Sequence, residues 1–266
     1  MTATIWFPPL VRALATGLLV MSASAVAEAL GPFWGALIAS LPVSAGPAYV
    51  FLSLQHGTDF VAASALSSFA ANAATGLFLI AYGALAEVTS PWRGLGAAVL
   101  AWLAASLAMQ EVTWTPSTAL MLNLAVYGCG FVMLNAVRGE GSQTMPPPAR
   151  RQRLELPARA AAVAAFVALI VAVSSILGPA ATGIAVVFPV SLISLIVIMR
   201  PRLGAHASSV LAANALRSML GFGMMLLTLH LAIRPCGTAT ALGIALLVST
   251  CWSGALLLLR RCPRLA

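Results

Sequence analysis

The chain reads as an all-α protein, a polytopic bundle of transmembrane helices. Three observations say so: its composition, the length of its apolar stretches and a duplication within its sequence. Hydrophobic residues make up 61% of the 266 residues and charged residues only 8%, with a mean hydropathy of +1.00. A typical soluble domain carries about 25% charged residues, so this chain folds in lipid.

A hydrocarbon core of about 30 Å takes roughly 20 residues of helix to cross. Stretches of that kind occur at 11–30, 33–54, 58–87, 94–111, 116–137, 159–177, 180–199, 205–233 and 238–259. That predicts about nine spans. The two long ones, 58–87 and 205–233, are expected to be tilted, bent or broken.

Charge orients the spans. All fourteen basic residues are Arg, a usage that with abundant Ala points to a GC-rich bacterial genome. The segment "RGEGSQTMPPPARRQRLELPAR" holds Arg138, Arg150, Arg151, Arg153 and Arg159 against Glu140 and Glu155, which by the positive-inside rule makes it cytoplasmic. Arg93, Arg200, Arg202, Arg260, Arg261 and Arg264 then fall on the same side, and Asp59 and Glu111 outside. The N-terminus comes out external and the C-terminus cytoplasmic, in a bacterial inner membrane. The pI of 10.7 is therefore a topological signal and not a nucleic-acid footprint.

The duplication is the third observation. A shift of 147 residues carries Arg12 onto Arg159, Leu30-Gly31-Pro32 onto Leu177-Gly178-Pro179, and Pro42-Val43-Ser44 onto Pro189-Val190-Ser191. The register continues through Gly57 with Gly204, Ala65 with Ala212 and Gly76 with Gly223. Residues 12–32 resemble a secretory signal ending in "ASAVAEA", but their counterpart at 159–179 makes them a retained first span. Five spans separate the two starts, so the second copy enters from the opposite face. The expected organisation is two four-helix repeats of inverted topology, residues 1–115 and 159–266, joined by a connecting span and an Arg/Pro-rich cytoplasmic loop at 116–158. Secondary transporters recurrently use this arrangement, with a site near the midplane.

Candidate site residues follow from depth. Pro42 and Pro189 fall near the middle of spans two and seven, where each breaks the helix and frees a carbonyl that needs a partner in lipid. Ser44 and Ser191 come two residues later, placed either to satisfy that carbonyl or to face a substrate. Asn72 centres span three, and Asn214 and Arg217 centre span eight, each among small residues that permit close helix packing. Tyr82, Asn123, Tyr127 and Asn135 add polar lining. A charge at mid-bilayer costs about 2.5–3.5 kcal/mol, so Arg217 is expected to face an anionic group or a partner. Glu28 is the candidate partner, as an ion pair or a coupling carboxylate: it sits roughly 10 Å toward the cytoplasm from the centre of span one, at 1.5 Å per residue.

The stretch "GIAVVFPVSLISLIVIM" followed by "RPRLGAHASSVLAANALRSMLGFG" resembles small bacterial inner-membrane proteins of the GlpM type, through Gly183, Phe188, Pro189, Gly204 and Arg217. The first copy matches more loosely, with Leu41 and Ala70 in place of the phenylalanine and the arginine. The resemblance implies a fold and carries no substrate.

No HExxH, GxSxG or Walker motif is present, and the six acidic residues are scattered, so no enzyme, cofactor or metal centre is expected. Cys129, Cys236, Cys251 and Cys262 form no CxxC and read as apolar packing residues. The expected function is a small secondary transporter for a small solute, anionic if Arg217 binds it, with proton coupling through Glu28. The alternative is a membrane assembly or scaffolding subunit that moves nothing. In either case the lipid bilayer is the surrounding partner.

Overall fold

The structure, a computed structural model, describes residues 45–138 and 155–261 together with Val11. Seven helices make up these residues: α1 (Ala45–Gln55), α2 (Thr58–Leu85), α3 (Pro91–Gln110), α4 (Pro116–Arg138), α5 (Glu155–Val186), α6 (Val190–Cys236) and α7 (Thr238–Arg261). Six stretches within them are long and apolar enough to cross a membrane: 58–85, 91–110, 116–134, 160–186, 204–236 and 238–256. The chain is a multi-pass, all-helical membrane protein.

Three glycines with positive φ turn the chain: Gly178 at 73°, Gly204 at 78° and Gly237 at 76°. This is the left-handed region, open to glycine at no steric cost. Gly178 divides α5 into two arms, Gly204 divides α6 into two arms, and Gly237 separates α6 from α7.

The centre of the bundle is α2. Its apolar window is 78% buried, against 22% for α7 and 28% for α4. The sequence explains this, because Ala62, Ser64, Ala65, Ser68, Ala71, Asn72, Ala74, Thr75 and Gly76 leave small or polar residues on every face. A helix with small residues all round lets neighbours approach its backbone, and in lipid that packing replaces the hydrophobic driving force. One core cluster joins α2 to α1, α5 and the C-terminal part of α6 through Tyr49, Leu52, Val163, Val167, Leu226 and Leu229. The other joins it to α3, α4 and the middle of α6 through Phe78, Leu79, Trp102, Tyr127 and Leu216.

The second arm of α6 crosses α2 antiparallel: Asp59 meets Arg234, Asn72 meets Met219, and Glu87 meets His206. By contrast, α4 runs parallel to α2, since Asn123 bonds Phe69, Tyr127 bonds Asn72, and Leu134 packs on Gly83.

The span expected at 180–199 is not one continuous helix. The second arm of α5 ends at Val186, and α6 begins at Val190 with Pro189 as its N-cap. Neither piece is long enough to span alone. Proline has no N–H to continue the first helix, and the last turn tightens, with Val187 N–H on the Ile184 carbonyl and Phe188 N–H on that of Ala185. The span at 33–54 is described only from Ala45, and the one at 11–30 lies outside the described residues apart from Val11. The cysteines also differ from expectation, because Cys129, Cys236 and Cys251 are free and exposed rather than packed inside.

Candidate functional site

Two polar constructions lie at the middle of the central helix. The first surrounds Asn72. Asn123 Nδ2 donates to the carbonyls of Phe69 and Ala119, at 2.8 and 2.9 Å, which leaves Asn123 Oδ1 as an acceptor. Asn72 Nδ2 fills it at 3.1 Å and also reaches the Met219 carbonyl at 3.2 Å. That fixes the orientation of the Asn72 amide, and its Oδ1 is buried with no hydrogen-bond partner. Tyr127 donates to the Asn72 carbonyl at 3.0 Å. Gly223 permits the close approach, since a Cβ there would sit 2.8 Å from Asn72 Nδ2.

A groove of about 620 Å3 opens beside this network, between α2, α4, α6 and α7. Its walls include Phe69, Leu220, Met224, Leu247 and Trp252 and are almost wholly apolar. Trp252 Nε1 donates to the Arg217 carbonyl at 3.0 Å.

The second construction holds the break at 187–189. When Val187 N–H turns to Ile184, the Gly183 carbonyl loses its helical donor, and the Ser68 hydroxyl on α2 supplies one. Ser64 donates to the Pro179 carbonyl at 2.9 Å and Thr75 to the Val187 carbonyl at 3.3 Å. Ser68 gives its own proton to Gly183, so it accepts from Tyr49, whose hydroxyl oxygen lies at 2.6 Å. Trp102 Nε1 donates to Thr75 Oγ1 at 3.3 Å, and its ring meets Phe188 edge-on at 5.0 Å. Irregular backbone at membrane depth persists only where protein groups satisfy it, and one face of α2 does so here.

The residues expected from sequence distribute unevenly over these two constructions. Asn72, Asn123 and Tyr127 are brought together as one network. Pro189 marks the break. Ser191 Oγ is buried without a hydrogen-bond partner, as is Tyr82 Oη. Arg217 and Asn214 are half-buried on the second arm of α6. Among the described residues, no hydrogen bond or ion pair links the Arg217 side chain to Asn72, Ser191 or Asn214. Asn72 spends its donors on Asn123 and Met219. Pro42, Ser44 and Glu28 lie outside the described residues, as does any Glu28–Arg217 pair.

Ser64, Ser68, Thr75, Trp102 and Trp252 were not singled out by sequence. The signal for the first three was present, since positions i, i+4 and i+11 share one helical face. Their role depends on Gly183, where a Cβ would stand 2.2 Å from the Ser64 carbonyl oxygen. No group of three metal-ligating side chains occurs among the described residues. Compared with known proteins, the chain matches no family model, no curated protein and no solved structure at a significant level.

Proposed function

We propose that the protein is a small secondary transporter of the bacterial inner membrane, built from two inverted-topology repeats, with the N-terminus outside and the C-terminus in the cytoplasm. The observation that carries this reading is a set of reciprocal contacts under the 147-residue shift. Asn72 donates to Met219, its own counterpart, at a separation of 147. Glu87 meets His206, the counterpart of Asp59; Asp59 meets Arg234, the counterpart of Glu87. In a two-fold pairing, residue i meets the copy of j and j meets the copy of i. Because the two helices are antiparallel, such an axis lies in the membrane plane.

Helix bounds support the same reading. Shifted by 147, α2 and α3 fall on 205–232 and 238–257, and the observed elements are the second arm of α6, from Gly204 to Cys236, and α7, from Thr238. In such folds substrate sites form near the midplane beside discontinuous helices, and here an interrupted helix and a central crossing stand at that depth. Arg217, near the middle of the second arm of α6, is the anion-binding group of this reading, and Glu28 the proton-coupling carboxylate.

The test uses purified wild type, Arg217→Ala and Glu28→Gln, first in thermal-shift screening against small metabolites and then in proteoliposome flux. A bound solute raises the unfolding temperature of the state that binds it. The expected result is a solute shift in wild type that Arg217→Ala lacks, with flux lost in both variants. Equal flux in all three sinks the transporter reading. A wild type that responds to no solute and is stable only beside a co-purifying protein reassigns the chain as an assembly subunit.

A further inference from the structure

The reciprocal contacts at the two ends of the α2–α6 pair are equivalent in position but not in chemistry. Resting on the transporter reading, we infer that Glu87–His206 is a proton-binding site that locks the cytoplasmic end of this helix pair, while Asp59–Arg234 is its proton-insensitive counterpart at the outer end.

The geometry places one ion pair at each end of a crossing. His206 Nδ1 lies 3.0 Å from Glu87 Oε1, and Arg234 Nε lies 2.9 Å from Asp59 Oδ1. Midway between them Asn72 bonds Met219, with Gly223 against the Asn72 amide. Separation at one end is therefore a rotation about the centre, and the 147-residue equivalence makes the two rotations alternatives of one motion. Both pairs are open to water, with side chains 57% and 38% exposed at one end and 59% and 85% at the other.

The chemistry separates the ends. Arginine stays charged at every physiological pH; the other histidine of this crossing, His230, lies toward the outer end, where its Nδ1 is 2.8 Å from the Ala62 carbonyl, so it meets a backbone acceptor and not the Asp59 carboxylate. Histidine is the side chain whose charge ordinarily changes near neutrality. Protonated, it forms an ion pair with Glu87; deprotonated, it retains at most a neutral hydrogen bond. Proton uptake thus closes the cytoplasmic end, and proton release loosens it.

The setting makes His206 a lever on more than one helix. It lies two residues beyond the Gly204 corner. From the other arm of α6, Arg200 Nη2 donates to the Ala86 carbonyl, next to Glu87. Both arms of the corner are therefore tied to residues 86–87. Of the other charged residues at this end, Arg93 begins α3 and is exposed, and Arg202 lies two residues before Gly204. Arg200 Nη2 is on a backbone carbonyl, and the group seated on the Glu87 carboxylate is His206, at 3.0 Å.

The experiment measures distances between spin labels in lipid nanodiscs at pH 5.5 and 8.5. With the other native cysteines replaced by serine, labels at Val88→Cys and Ala205→Cys report the cytoplasmic end, and labels at Thr58→Cys and native Cys236 report the outer end. Wild type is expected to gain a longer inner distance at pH 8.5, the ratio of long to short populations changing about two- to fivefold, the range an exposed ion pair supports. The outer distance is expected to stay short or to shorten. His206→Arg should keep the inner distance short at both pH values, and His206→Gln should show the longer population at both. An inner distance independent of pH in wild type overturns the inference. So does a pH response that survives in both His206 variants, or one in which the two ends lengthen together. The readout needs no solute, so loss of the lock and absence of flux are separate results.

Discussion

Replacing Gly183 by alanine tests how the interrupted helix is held. A Cβ at this position would lie 2.2 Å from the Ser64 carbonyl oxygen, 2.9 Å from its carbon and 3.0 Å from Ser64 Cα, all backbone atoms that cannot rotate away. Restoring ordinary contact near 3.4 Å requires the second arm of α5 to retreat from α2 by about 1.2 Å. That retreat stretches the 2.9 Å bond from Ser64 to Pro179 to about 4 Å, beyond hydrogen-bonding range, and opens the Ser68–Gly183 bond beside it. Overpacking costs about 1–3 kcal/mol, and an interhelical hydrogen bond in a membrane averages about 0.6 kcal/mol. The sum is a loss of about 2–4 kcal/mol. Unfolding by SDS titration in mixed micelles, followed by tryptophan fluorescence, reads this directly. Gly96→Ala, in the interior of α3 with open space around its Cβ position, is the control and should be neutral or slightly stabilising. Ser68→Ala removes both the bond to Gly183 and the acceptor of Tyr49, and it should cost about 0.6 kcal/mol less beside Gly183→Ala than in wild type, because the bond to Gly183 is already broken there. A Gly183→Ala protein as stable as wild type, or a Ser68→Ala cost equal in both backgrounds, refutes the hydroxyl-clamp account.

Two further outcomes follow from the same contacts. Asn123→Leu removes the acceptor of Asn72 and the donor to Phe69, leaving buried groups unpaired; a loss of about 1–3 kcal/mol is expected in the same unfolding assay, and less than 0.5 kcal/mol would show that the network contributes little. The Asp59–Arg234 pair is exposed at 85% and 59%, so a double-mutant cycle with Asp59→Ala and Arg234→Ala should return a coupling of at most about 1 kcal/mol that shrinks in high salt. A larger, salt-insensitive coupling would mean that this end of the crossing is sealed from water.

Much of the bundle was legible before any coordinates. The span predicted at 58–87 is α2 at 58–85, that at 116–137 is α4 at 116–138, and those at 205–233 and 238–259 lie within 204–236 and 238–261. Length and apolarity alone fix such elements, because lipid leaves the backbone no partner but itself. Pro189 as a helix break was legible for the same reason, since proline lacks the donor that a continuing helix needs.

What holds the break at Pro189 was not legible, because hydropathy is blind to backbone continuity: 180–199 is largely apolar on either side of it. Whether a carbonyl freed there is tolerable depends on what stands across from it, and Ser64, Ser68 and Thr75 sit more than a hundred residues away in sequence. Depth along a helix placed Asn72, Asn214 and Arg217 near the midplane, yet depth says nothing about which face each occupies. Asn72 turned toward Asn123, Tyr127 and Met219, and no described contact joins it to Arg217. The medium and the positions of most spans were thus determined by the sequence itself, through composition and the length of its apolar stretches. The pairing of Asp59 with Arg234 and Glu87 with His206, and the clamp on the broken helix, were decided only by tertiary structure, because each depends on the angle and register at which two distant helices cross.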